Sequence, residues 1–176
     1  MSILKIARMG HPALLSPAVE VEDVFAPEIQ ALTSAMAETL LDAGGVGLAA
    51  PQVHVGLRLF LFRVPIGRGE EGRERPLRVV INPVVTPIEA AGTELGWEGC
   101  LSIPGLRAAV PRWREIDVSG IDEMGKSFTE RLSGFAARVV QHEADHLDGI
   151  LYPMRMENFR LFGYTEELDR YPPEAL

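Results

Sequence analysis

The chain has 176 residues, 47% of them hydrophobic and 24% charged, a balance that suits one globular domain with a sizeable core. Its formal net charge of -8 argues against nucleic acid as the main partner, because phosphate binding needs a basic face and the arginines here are interleaved with acids. No segment approaches the ~20 apolar residues of a membrane span, the opening "MSILKIARMG" has no signal-peptide run, and the single cysteine, Cys100, excludes an intrachain disulfide, so a cytoplasmic location is expected.

From Pro27 to Ala43, Ile29, Leu32, Met36 and Leu40 recur at helical spacing, with Pro27 near the start and Gly44-Gly45 just past the end. The next stretch, "GGVGLAAPQ", contains Gly45-x-Gly47-x-x-Ala50, but it follows a helix and Pro51 would disrupt a helix starting there. A tight turn that brings backbone close to a ligand accounts for it better than nucleotide binding does, and Gln52 offers a side-chain amide there. The runs "LRLFLFRV" (57 to 64) and "LRVVINPVV" (77 to 85) read as strands, and the polar "PIGRGEEGRERP" between them as a loop. In "GWEGCLSIPG", Gly99 and Pro104 mark a turn around Cys100.

Farther on, "REIDVSGID" alternates like a half-buried strand, and a hairpin through Glu123-Met124-Gly125-Lys126 should follow. A second helix is expected from about Gly134 to Leu147, ended by Asp148-Gly149. Strands clustered between two helices indicate an α+β domain and not an alternating βαβ sheet.

That second helix carries "QHEADHLDGI", an H-E-x-x-H motif. Positions four apart share a helix face with Cβ atoms about 5–6 Å apart, so His142 and His146 can face one metal ion. Glu143 is turned by roughly 100° from His142, which lets it reach a water at the ion without being a ligand, the geometry of a general base. Phe135 and Val139, two turns and one turn back, give the site an apolar wall. Two histidines cannot complete a metal site. Glu157, Glu166 and Glu167 lie downstream and would supply a peptidase-like third ligand, whereas Cys100 upstream would give two imidazoles, one thiolate and an open position, the pattern of a catalytic ion. A structural metal without turnover would need a fourth protein ligand, and neither His11 nor His54 has a motif that recommends it.

Three stretches, "GVGLAAPQ", "EGCLS" and "QHEADHLDG", stand intact and in this order, and together they resemble the three motifs of the peptide deformylases. The likeness also runs through "RMGHPALL" and "INP", over roughly residues 4 to 155. It implies that Cys100, His142 and His146 bind the metal, that Glu143 is the acid/base, and that Gln52 and the backbone N–H of Leu101 hold an oxyanion. Val46 and Gly47 would line the substrate groove, Phe135 and Val139 would wall a methionine pocket, and Arg107 would contact the peptide further out. The family's metal is usually ferrous iron, with zinc, nickel or cobalt able to replace it, and ligand type alone does not choose among them. The expected partner is the formyl-methionyl nascent peptide near the ribosome exit. The expected architecture is one catalytic domain over residues 1–176, with mostly antiparallel sheets packed around a central helix that carries the motif. The segment 65 to 76 and the tail from Glu157 depart from the commonest family pattern.

Overall fold

A computed structural model describes residues 2–69 and 73–174. Among these, α1 spans Pro27–Asp42, β1 Gly47–Ala49, β2 Leu59–Val64, β3 Arg75–Pro87, β4 Thr93–Cys100, β5 Ile103–Trp113, β6 Glu115–Ile121, β7 Ser127–Ser133, α2 Gly134–Leu147, β8 Phe162–Tyr164 and α3 Thr165–Arg170. The strands form a five-stranded sheet in the order β1-β2-β3-β6-β7 and a three-stranded sheet in the order β4-β5-β8. Every strand pair in both sheets is antiparallel. The protein is therefore α+β with antiparallel sheets and few helices.

The near-continuous apolar run of β2 follows from burial on both faces. Leu59 and Leu61 pack with Ile29, Met36 and Leu40 of α1, while Phe60, Phe62 and Val64 point the other way, onto Ala136, Val139 and Val140 of α2. The large sheet thus lies between the two long helices. The opposite side of α2 meets β4 and β5 through polar contacts from Arg138, His142 and Asp145, so ten of its fourteen residues are buried.

Two glycines set this helix in place. Gly134, at φ +54, turns the chain out of β7 and donates its N–H to the Arg114 carbonyl. Gly149, at φ +74, ends the helix region against the Leu15 backbone, where an added Cβ would lie 2.8 Å from the Leu15 carbonyl carbon.

Several boundaries differ from the sequence reading. Strand β3 begins at Arg75, so Arg75 and Pro76 belong to the sheet, where Arg75 and Arg78 pair with Glu130 of β7. Residues 70 to 72 of the expected loop lie outside the described residues. Gly99 and Pro104 are strand residues, and the turn between β4 and β5 is confined to Leu101 and Ser102, with Cys100 opposite Ile103. The β6–β7 hairpin forms as expected, and Asp122 Oδ1 accepts from the N–H groups of Met124 and Lys126. None of the described helices is long and apolar enough to cross a membrane.

Candidate active site

The three predicted metal ligands arrive from two elements. Helix spacing puts His142 and His146 on one face of α2, and the tight β4–β5 turn delivers Cys100. Their ligand atoms all lie within 4.8 Å of one another, with Cys100 Sγ 3.3 Å from His146 Nε2. Glu98, two residues before the cysteine, accepts from His142 Nδ1 at 2.9 Å. In the neutral ring that bond places the proton on Nδ1 and leaves the Nε2 lone pair for an ion. One thiolate and two imidazoles, one of them oriented by a carboxylate, fit a divalent transition metal.

Glu98 in turn is held by a buried ionic network. Arg112 of β5 donates to both Glu98 oxygens, at 2.8 and 3.0 Å, and its remaining Nη donates to Asp145 of α2. Arg155 donates to the other Asp145 oxygen at 2.7 Å. Arg138, in the middle of α2, donates to Glu98 and to the carbonyls of Glu94, Gly96 and Val110. Gly96 is required there, since its Cβ would fall 2.7 Å from the Arg138 guanidinium. The sequence reading missed Glu98, Arg112, Arg138, Asp145 and Arg155. Glu98 lies inside the quoted "EGCLS", but pairs joining β4, β5 and α2 have no local spacing to reveal them.

Burial opposes charge on Glu98, yet the bonds from His142 and Arg112 outweigh it and lower its pKa to about 2 from an ordinary 4.5. A carboxylate depressed in this way stabilises the fold fully above its unfolded value, and the contribution is lost as pH falls through the folded one. Chelator-treated protein should therefore lose on the order of 3 kcal/mol between about pH 4.5 and about pH 2 through this group. Chemical unfolding across that window, compared with Glu98→Gln, checks it. Parallel pH curves for the two proteins would contradict the role given to Glu98.

The other shifts follow from burial and the same charges. Burial would lower the His142 pKa, but its bonds to Cys100 and Glu98 hold it well above the usual value. His146 is pushed well below it, by burial first and then by charge on His142. Burial raises Glu143 to about 7. One Glu143 oxygen has no partner among the described residues, and the other sits where a Cβ on Gly47 would lie 2.0 Å away. Gly47 is therefore the close-approach residue of the glycine stretch: it admits the Glu143 carboxylate, and any side chain there would displace it.

Gln52 is fixed at both ends of its amide. Its Oε1 accepts from the Ala49 N–H at 2.8 Å, which turns Nε2 toward Cys100 Sγ at 3.4 Å and Ser102 Oγ at 3.2 Å. A cavity of about 530 Å³ opens in front of this group, lined by Gln52, Cys100, Leu101, His142 and Glu143. Val46, Gly47, Arg107, Phe135 and Val139 complete its walls, so the fold brings all the sequence-predicted site residues together, His146 joining them through Cys100. Trp97, unremarked in the sequence, also lines the cavity, with the Arg107 guanidinium 4.9 Å from its ring.

The alternative metal ligands lie elsewhere. Glu157, Glu166 and Glu167 are exposed. His11 and His54 are exposed too and meet edge to face at 4.6 Å. Among the described residues, the one group of three or more metal-ligating side chains is Cys100, His142 and His146.

A model of the polypeptide deformylases matches residues 3–161. The chain belongs to the polypeptide deformylase family. It is 47% identical over 167 residues to peptide deformylase 1 of Nitrosomonas europaea, covering 94% of both proteins. It is 48% identical over 170 residues to peptide deformylase 2 of Bordetella bronchiseptica, covering 93% of both. Among solved structures, a ligand-bound class I type b peptide deformylase from Acinetobacter baumannii superposes with a TM-score of 0.82 at 34% identity, over 89% of this chain and 100% of that one. A Synechococcus elongatus peptide deformylase in complex with actinonin gives a TM-score of 0.80 at 35% identity, over 95% of this chain and 85% of that one. Membership in the deformylase family thus rests on nearly the whole fold and not on the motifs alone.

Proposed function

We propose that the chain is a single catalytic domain, residues 1–176, organised around α2 as its central helix, which removes the formyl group from the N-terminus of formyl-methionyl peptides and releases formate. The observation that carries this reading is the convergence of Cys100, His142 and His146 at a cavity into which the Gln52 amide and the Glu143 carboxylate both project. The substrates are nascent peptides met near the ribosome exit, in the cytoplasm.

Cys100, His142 and His146 would hold one divalent ion, ferrous iron in first place, with zinc, nickel or cobalt as alternatives. Such an ion, when bound, acidifies water and polarises a carbonyl. The chain's own residues do the rest. Glu143 accepts the proton of the attacking water and returns it to the leaving amine; its burial, which holds its pKa near 7, suits a group that must do both at neutral pH. As the formyl carbon becomes tetrahedral, the Gln52 Nε2–H and the Leu101 N–H donate to its oxygen. Val46 and Gly47 flank the peptide backbone, and Arg107 borders it further out. Among the described residues, the metal-ligating group includes none of the three downstream glutamates, which supports this reading over a peptidase one.

Phe135 and Val139 wall the pocket for the first side chain and favour an unbranched thioether. Each methylene in an apolar pocket is worth about 1–3 kcal/mol, so formyl-Met peptides should exceed formyl-Ala peptides in kcat/KM by well over tenfold. Measuring formate release from both with purified protein checks the activity and the pocket at once. Equal values would refute the pocket, and no formate from either would refute the activity.

A further inference from the structure

Three arginines and two glutamates line the cavity, and their charges are not used alike. Buried Glu98 is occupied by His142, Arg112 and Arg138. Arg138 spends its donors on Glu98 and on three carbonyls. Glu143 is buried beside Gly47. Arg107 is paired with Asp169 of α3 at 2.7 Å. Arg68 stands apart. It follows the turn closed by its own N–H on the Pro65 carbonyl, and its guanidinium lies 4.9 Å from the Phe135 ring. It is exposed, and among the described residues no carboxylate pairs with it.

Stacking on Phe135 fixes where this charge is presented. The aromatic face holds the flat guanidinium through a cation–π contact and leaves its N–H groups free to donate. Phe135 is also the wall assigned to the first side-chain pocket, so the Arg68 guanidinium borders the cavity beside that wall. The charge of Arg107, which also lines the cavity, is already paired with Asp169. Among the described residues, Arg68 is thus the cavity-lining arginine with no carboxylate partner.

We propose that Arg68 is a specificity-determining residue that favours formyl peptides bearing a carboxylate side chain within the two residues after the first, and disfavours those bearing an ammonium there. The inference rests on the deformylation reading above. An exposed ion pair is modest in strength and is screened by salt, so the preference should be about fivefold in kcat/KM at low ionic strength and should shrink as salt is added.

The test uses C-terminally amidated peptides, which remove the competing terminal carboxylate: formyl-Met-Ala-Ala, formyl-Met-Asp-Ala, formyl-Met-Ala-Asp and formyl-Met-Lys-Ala. Wild-type protein should process an aspartyl peptide about fivefold better than the lysyl one. Arg68→Gln should bring that ratio close to one, and Arg68→Lys, which keeps the charge, should retain most of it. A ratio of one in the wild type, or an unchanged ratio in Arg68→Gln, would overturn the assignment. Absence of formate from the neutral peptide as well would instead overturn the deformylation reading on which it rests.

Discussion

Glu143→Gln is expected to keep the bound metal and to lower formate release by about 10²–10⁴-fold or more, because in the proposed mechanism one residue would serve both proton transfers. Glutamine preserves the shape against Gly47 and can still hydrogen-bond water, but it cannot accept and return a proton at neutral pH. Among the described residues no group bonds the buried Glu143 Oε2, so the substitution breaks no bond at that atom. Metal analysis and kinetics on one preparation read both quantities. A variant with full metal and near wild-type kcat would remove Glu143 from the mechanism.

The second large effect concerns the thiolate. Cys100→Ala leaves two imidazoles and should weaken metal binding by at least about 100-fold, since loss of an outer-sphere partner alone costs about 10–100-fold. The fold should survive, because Cys100 is only partly buried and is the last residue of β4, and the buried Glu98–Arg112–Asp145 network is untouched. Elemental analysis of folded variant protein decides the point: one metal per chain would refute the three-ligand site.

Much of this site was legible in the sequence, because the relevant spacings are local. Histidines at i and i+4 on an amphipathic helix must share a face, and a turn containing Cys100 could be placed near them by motif order. The register that brings Cys100 to His146, by contrast, depends on the β4–β5 turn being only two residues long, and Gly99 and Pro104 falsely suggested a wider one. The Arg138 rivet and the Arg112 bridge were hidden because their acceptors lie 14 to 44 residues away. Strands β1 and β8, three residues each, are too short to show a period, and they exist because Gly47–Ala49 pairs with β2 and Phe162–Tyr164 with β5. Continuous burial of β2 was readable as a strand, but its two covered faces became evident only once α1 and α2 were placed on opposite sides.

The same cavity also separates deformylation from peptide-bond cleavage in one measurement. Metal-loaded protein is incubated with a formylated methionyl peptide of ten or so residues, and the products are followed by mass spectrometry together with enzymatic detection of formate. Attack on the formyl carbon beside Gln52 and Leu101 predicts formate in one-to-one yield with a full-length peptide carrying a free N-terminal methionine. Shorter fragments without formate would contradict the account at its centre.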